Sequence, residues 1–176
     1  MRLRHTHQLS AAGRDMLRAF LFDAFDGDFT DSDFDHCLGG VHVFADDTVG
    51  IVGHASVVQR QLIVGQTVLR AGYVEAVAVA SRRRREGIGD AVMARVDDIV
   101  VGAYDLGALG ASDDGRPLYR RRGWEPWRGP LGVLTPDGVR PTVDDEDSIL
   151  VLRTPTHRYL DTMQPLICDP RAGSAW

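Results

Sequence analysis

An apolar run, Tyr73-Val74-Glu75-Ala76-Val77-Ala78-Val79-Ala80, leads through four consecutive arginines, Arg82 to Arg85, into Glu86-Gly87-Ile88-Gly89 and a helical pattern beyond. No other segment constrains the fold as much. It reads as a strand, a glycine-bearing loop and a helix N-terminus, the arrangement that cradles an anion. Main-chain N–H groups without intrahelical partners point outward there, the helix dipole adds partial positive charge, and glycine lets a phosphate approach the backbone. A dinucleotide loop would need a third glycine where this chain has Val92, and no Gly-Lys-Ser/Thr element serves a nucleoside triphosphate. The spacing present is Arg-x-x-Gly-x-Gly.

The flanking elements read as a mixed α/β chain. Leu9 to Ala24 carries Met16, Leu17, Phe20, Leu21 and Ala24 at helical spacing, and Thr30 or Asp31 caps a second short helix ending at Gly39-Gly40. Val41 to Phe44 and Ile51 to Gln59 are strands around the Asp46–Gly50 turn. Gln61 to Val64 and Thr67 to Val79 pair about Gly65, completing an antiparallel meander. A helix from Gly87 to about Val101 shows one face of Ile88, Val92, Val96 and Ile99, and Ala103 to Leu109 returns as a strand parallel to the earlier one. Ser112-Asp113-Asp114 can cap a further helix that Gly123 ends, and the strands Trp124 to Leu134 and Ile149 to Leu152 follow. At 176 residues with 44% hydrophobic content, the expectation is one domain over 1–176.

With its Arg84-Arg85-Glu86-Gly87-Ile88-Gly89 loop, this order resembles the GCN5-related N-acetyltransferase (GNAT) fold, a central mixed, mostly antiparallel sheet with flanking helices. Tyr119-Arg120-Arg121-Arg122-Gly123-Trp124 is a second anchor, similar to the Tyr-x-x-x-Gly-aromatic element of that superfamily. The likeness then narrows. Gly27-Asp28-Phe29-Thr30, Leu38-Gly39-Gly40-Val41-His42, Val58-Gln59-Arg60, Gly72-Tyr73-Val74-Glu75-Ala76, Ser112-Asp113-Asp114-Gly115 and Cys168-Asp169-x-Arg171-x-Gly173-x-x-Trp176 resemble the aminoglycoside 2'-N-acetyltransferases, from near residue 20 to the last residue.

That resemblance implies acetyl transfer from acetyl-coenzyme A to an aminosugar amine, by direct attack in a ternary complex and without a metal. It implies Glu75 as the base, the Val77 N–H as oxyanion donor and Tyr119 as the acid for the departing thiolate. Val77 and Val79 would meet the pantetheine arm, and Arg84 through Gly89 the pyrophosphate. Asp28, Asp33, Glu75, Ala76, Gly110, Asp144, Asp145 and the Trp176 carboxylate would take the aminoglycoside. Three departures bear on that end: Ser174 replaces an aspartate of relatives, Gly110 a serine, and Pro170 an aromatic residue. Independently of any family, two acidic stretches, Asp23 to Asp35 and Asp144 to Asp147, suit a polycation. Glu75 interrupts an apolar strand, where a carboxylate is costly unless something binds it. Another cationic amine, such as a polyamine or cell-wall precursor, would use the same groups, and a non-catalytic coenzyme A binder would keep the loop.

Other classes fit poorly. A formal net charge of −5 and no aromatics interleaved with the arginines argue against a nucleic-acid partner. No window approaches the ~20 apolar residues of a membrane span, so the expectation is a cytoplasmic protein, and a homodimer by the resemblance. Cys37 and Cys168 lie outside any C-x-x-C spacing and read as buried free thiols, and the six histidines show no metal-binding spacing.

Overall fold

The computed structural model describes residues 1–176. Two compact units divide the chain, residues 1–58 with 74–98, and residues 59–73 with 99–176. Two long strands, β3 (Ile51–Val64) and β4 (Thr67–Val79), and helix α3 (Ile88–Ala103) contribute residues to both.

In the first unit, β1 (Arg2–His5) pairs antiparallel with β2 (Val41–Asp46), and β2 with the opening of β3. Helix α1 (Ala11–Ala24) begins two residues later than its apolar pattern does, because the Ser10 hydroxyl accepts the Gly13 N–H at 3.1 Å and caps it. Helix α2 (Asp31–His36) opens on a capping box. Thr30 Oγ1 accepts the Asp33 N–H at 3.2 Å, and the Asp33 carboxylate accepts the Thr30 N–H at 2.9 Å. Leu17, Leu21, Ala24, Phe29, Phe34, Cys37, Phe44 and Ala78 form one apolar cluster. Helix α3 buries Val92, Met93 and Val96 fully, and its first turn lies against the sheet at Gly53. A β-carbon on Gly53 would meet Ile88 Cγ2 at 2.6 Å, so glycine is required there for the helix to approach.

The second unit holds β5 (Leu106–Gly110), α4 (Arg116–Arg121), β6 (Glu125–Pro126), β7 (Leu131–Thr135), β8 (Gly138–Pro141), β9 (Ile149–Arg153) and β10 (Leu166–Cys168). Its strand order is β6-β9-β5-β4-β3-β10-β7-β8, with β4–β5 and β10–β7 parallel. The sheet is therefore mixed and mostly antiparallel, as expected. Helix α4 ends in a Schellman motif at Gly123 (φ +87), where the Trp124 N–H reaches the Tyr119 carbonyl at 3.2 Å and the Gly123 N–H that of Arg120 at 3.1 Å.

Several boundaries differ from the sequence expectation. The expected Trp124 to Leu134 strand is two strands, because Pro130 lacks a donor and Gly129 passes so close to Gln164 that a β-carbon would lie 2.1 Å from its carbonyl oxygen. The return strand starts at Leu106 rather than Ala103, since α3 runs on to Ala103. Ser112 Oγ takes the Gly115 N–H in the turn before α4, and the helix itself starts at Arg116 without a side-chain cap. Gln59 and Gln61 belong to one continuous β3. Strands β1, β8 and β10 were not expected. No helix is long and apolar enough to cross a membrane.

Candidate active site

Within the first unit, strand β4 carries the expected base at a break in its pleat. Ala76 has φ +51, a left-handed conformation that a residue with a β-carbon adopts only when its surroundings impose it. The break falls between Glu75 and Val77, where the expected catalytic carboxylate and oxyanion donor lie, and Glu75, Ala76 and Val77 are all half-buried. Strict alternation therefore does not carry Glu75 to a solvent face. His54 Nδ1 lies 2.9 Å from the Ala76 carbonyl, and the Ser56 hydroxyl donates to the Glu75 carbonyl at 3.4 Å. Pairing of β4 with β5 covers Ala71, Gly72 and Tyr73 and stops there, two residues before Glu75.

The acid-bearing loop is fastened to the same stretch. Phe29 and Phe34, the neighbours of Asp28 and Asp33, are buried in the cluster that includes Ala78 and packs against Ala76. Phe29 stacks on Phe25 with ring centroids 4.9 Å apart. Asp28 is exposed, and Asp33 is half-buried with its Oδ2 in the capping box, where it also accepts the Thr30 hydroxyl at 2.8 Å. Cys37 lies in this cluster as well. Burial, aided by the nearby Glu75 charge, pushes its thiol up to about 12.

Downstream of β4 the chain forms a short 3-10 turn, Ser81–Arg83, and the glycine loop. Three of the four arginines are bonded within the protein. Asp47 Oδ2 accepts Arg82 Nη1 at 2.9 Å and Arg83 Nη1 at 2.8 Å, Arg83 Nε also reaches Glu86 at 2.6 Å, and Arg84 Nη2 donates to the Ala24 carbonyl at 3.0 Å. Asp47 Oδ1 meanwhile accepts the N–H groups of Val49 and Gly50. The Arg82 guanidinium and these amides hold the Asp47 carboxyl far below the usual range. One side chain thus ties the β2–β3 turn to the arginine run. Arg85 (φ +67) and Gly87 (φ +79) turn the loop, and the Gly87 carbonyl accepts the first helical bond of α3 from Ala91 at 3.0 Å. Nothing lies within 4 Å of where a Gly87 β-carbon would be, so the glycine serves its backbone conformation and leaves open space over the helix N-terminus. The loop and the sixteen-residue helix behind it fit the anion cradle read from the sequence.

The second unit holds the other expected residues. Tyr119 is 7% exposed on α4, its ring 6.4 Å from that of Trp124, and burial pushes its phenol up to about 12. Gly115 gives it room, since a β-carbon there would lie 2.9 Å from Tyr119 Cε2. Gly110 ends β5, and a β-carbon on it would meet the Tyr73 hydroxyl at 3.7 Å, an ordinary contact, so a serine would be accommodated. Asp144 and Asp145 sit on a 3-10 turn, Val143–Asp145. Burial, then the Asp144 charge, raises the Asp145 carboxyl. Next to that turn, Trp176 Nε1 donates to Thr142 Oγ1 at 2.8 Å, so the tail is folded back beside the acids. Ser174 donates to the Trp176 main-chain oxygen at 2.8 Å, a bond the aspartate of relatives could not make. Arg60, 4% exposed, anchors this tail through Asp169 and the Ala175 carbonyl.

Arg60, Asp47, His42 and His54 were not singled out from the sequence as site residues. The two Asp47 turn bonds are foreshadowed by the Asp-Asp-Thr-Val-Gly turn; the others have partners too distant in sequence to signal themselves. No cluster of three or more His, Cys, Asp or Glu is arranged to hold a metal.

A family profile described as an acetyltransferase (GNAT) domain matches residues 33–127. A curated aminoglycoside 2'-N-acetyltransferase of Mycolicibacterium fortuitum is 46% identical over 99% of this chain and 91% of its own length. The chain belongs to the aminoglycoside 2'-N-acetyltransferase family. Among solved structures, a GNAT family N-acetyltransferase of Escherichia coli in complex with CoA superposes with a TM-score of 0.64 at 16% identity, covering 94% of this chain and 88% of that one. A GNAT family acetyltransferase of Brucella melitensis in complex with acetyl-CoA gives 0.62 at 14% identity, covering 97% and 96%. At such identities these two show the fold of the family and not its substrate. For an aminoglycoside 2'-N-acetyltransferase, the mixed sheet with flanking helices and the strand–loop–helix of β4 and α3 are as the sequence led one to expect.

Proposed function

We propose that this enzyme transfers an acetyl group from acetyl-CoA to the 2'-amine of an aminoglycoside. The observation that carries the reading is the left-handed Ala76 on the strand that runs into the Gly87 cradle, in a chain of this family. The turn displaces Glu75 and the Val77 N–H from a regular ladder. The helix N-terminus suits a pyrophosphate and, on that basis, coenzyme A.

In this reading the amine, arriving largely as an ammonium, gives its proton to the Glu75 carboxylate directly or through water, and attacks the thioester carbonyl. The Val77 N–H donates to the developing oxyanion, and the backbone of Val77 to Val79 lies along the pantetheine arm as an added strand would. Collapse breaks the carbon–sulfur bond, the pair of electrons leaves on sulfur, and the remaining extra proton of the acylated nitrogen passes to water, leaving the neutral amide. Tyr119 is assigned to that sulfur by the family resemblance. Its phenol, at about 12, is a weaker acid than a thiol near 8.5, so it stabilises the departing thiolate chiefly by hydrogen bonding, and complete transfer is uphill. Asp28, Asp33, Asp144, Asp145 and Trp176 are assigned to the aminosugar on the same grounds. For Asp145, raised first by burial and then by the Asp144 charge, an arriving ammonium would favour the ionised form, which adds support.

The same reading takes residues 1–176 as one catalytic domain, acting in the cytoplasm as a homodimer. Strands β3 and β4 and helix α3 each belong partly to both compact units, which supports a single domain. Thiol release from acetyl-CoA tests the function. Gentamicin and tobramycin, which carry a 2'-amine, are expected to be acetylated, whereas kanamycin A and amikacin, with a hydroxyl there, are not. Release with spermidine at a comparable kcat/KM would move the assignment to a polyamine enzyme.

A further inference from the structure

Two buried histidines of the first unit form a line of hydrogen bonds that the chemistry above does not use. His42 and His54 are each 0% exposed. Their rings pack with Phe44, at centroid distances of 5.8 and 5.3 Å. His54 Nδ1 lies 2.9 Å from the Ala76 carbonyl oxygen, a group that only accepts, so Nδ1 carries the proton. A neutral His54 then offers the lone pair of Nε2 to His42 Nδ1, 2.9 Å away, which must donate. His42 Nε2 is left as the acceptor for the Thr6 hydroxyl at 2.8 Å, and Thr6 Oγ1 in turn accepts the Gly39 N–H at 2.8 Å. A single carbonyl at the inner end fixes both tautomers and the direction of every bond from Thr6 inward.

That carbonyl belongs to Ala76, whose left-handed backbone is strained for a residue with a β-carbon and persists only where its surroundings enforce it. Two donors act on the peptide groups on either side of it, His54 at 2.9 Å and the weaker Ser56 at 3.4 Å. We infer that His54, braced by His42 and Thr6, is a positioning residue that holds the Ala76 carbonyl and thereby the turn of β4 that aims Glu75 and the Val77 N–H. The inference rests on the proposed roles of Glu75 and Val77. The line is no proton route to the substrate, because it ends on a carbonyl that passes nothing on. Its action is mechanical.

Amide hydrogen exchange over residues 73–79, measured with kcat, tests it. His54→Leu removes the donor. His54→Asn keeps an N–H near the position of Nδ1. The expected result is faster exchange at Ala76 and Val77 and about a tenfold lower kcat in His54→Leu, both partly restored in His54→Asn. Glycine adopts a positive φ freely, so in an Ala76→Gly background the same His54→Leu change should cost clearly less turnover, a coupling that a general packing defect would not produce. Thr6→Val, which spares both imidazoles, should give a smaller shift of the same kind and serves if His54→Leu fails to fold. Unchanged exchange at Ala76 and Val77 in His54→Leu, or in Thr6→Val as its replacement, or strict additivity with Ala76→Gly, would overturn the positioning role. Faster exchange with undiminished kcat would leave the positioning role standing and instead overturn the catalytic reading of Glu75 and Val77.

Discussion

Arg60 donates through Nε to the Asp169 carboxylate at 2.8 Å, and through Nη2 to the Asp169 carbonyl at 2.7 Å, while its guanidinium carbon lies 4.9 Å from the Tyr73 ring centroid. The arginine comes from the middle of β3 and the aspartate from just after β10, so this contact fastens the last residues to the sheet. Its Nη1 reaches the Ala175 carbonyl at 2.7 Å. Removing Arg60 leaves the Asp169 and Ala175 carbonyls without this donor, while the Asp169 carboxylate keeps the Gln61 N–H at 3.2 Å. Because the Asp169 side chain is 36% exposed, the loss falls below that of a fully buried pair. Arg60→Leu is expected to lower unfolding free energy by about 2–3 kcal/mol in urea titration. It should also raise the KM for the aminoglycoside more than that for acetyl-CoA, since the tail that carries Trp176 keeps its bond to Thr142 but loses its fastening to β3. An equal rise in both would show that the tail does not serve the sugar.

Glu75→Gln is expected to lower kcat by roughly 10²-fold or more, the scale of a positioned base. Steady-state kinetics at saturating acetyl-CoA check this. A parent-like rate would remove Glu75 from the chemistry while leaving the fold assignment intact.

The coenzyme end has two separable supports. Gly87→Val places a branched side chain at φ +79 in front of the helix N-terminus, and acetyl-CoA binding by calorimetry should weaken by at least tenfold. Asp47→Asn keeps the shape of the turn but loses the charge that pairs Arg82 and Arg83, and should weaken acetyl-CoA binding several-fold with little effect on kcat. Normal coenzyme affinity in Gly87→Val would contradict the cradle.

Burial holds His42 at about 4 and His54 at about 3, below the ordinary histidine value of 6.5. Between those values and 6.5 the unfolded chain binds protons that the native state refuses. Stability is therefore complete above pH 6.5 and falls as pH drops toward 4. Between pH 7 and 5, above the range of most carboxylates, each histidine should remove about 2 kcal/mol, read from the pH dependence of urea unfolding. A flat profile over that interval would mean that the pair is not buried as described.

The Tyr119 phenol, at about 12, should stay protonated through pH 10. An ultraviolet difference titration of the parent against Tyr119→Phe reads it directly. Any basic limb of the kcat profile below pH 10 must then belong to another group.

Much of this architecture is legible in the chain because it is written locally. Gly65, Gly87 and Gly123 each occupy a positive φ in a turn, a loop or a helix cap, and a glycine between periodic segments announces such a place. The Thr30–Asp33 box and the apolar stripe of α3 are likewise short-range patterns. What the sequence conceals is set at long range. Strand β1, Arg-Leu-Arg-His, is a short edge strand with no apolar alternation, and β10 has three residues whose strand character comes from pairing Leu166 with both Val64 and Leu131. His42 lies opposite Ser56 and His54 opposite Phe44, so the two imidazoles are diagonal neighbours across antiparallel strands, a relation that no spacing along one element reveals. The Asp169 partner of Arg60 is 109 residues away. Ala76 is concealed for a different reason, since alanine gives no sign that it will be held left-handed.

Gly53 puts bare main chain under the first turn of α3. The Ile88 side chain of that turn is thus seated directly on peptide, with no room for a larger residue beneath it. One added methyl would have to displace Ile88 Cγ2, 2.6 Å away, and press on Ala45 Cβ at 3.2 Å and Val92 Cγ2 at 3.3 Å. If the loop holds the coenzyme as proposed, substitutions at position 53 should change acetyl-CoA affinity before they touch the acids assigned to the sugar.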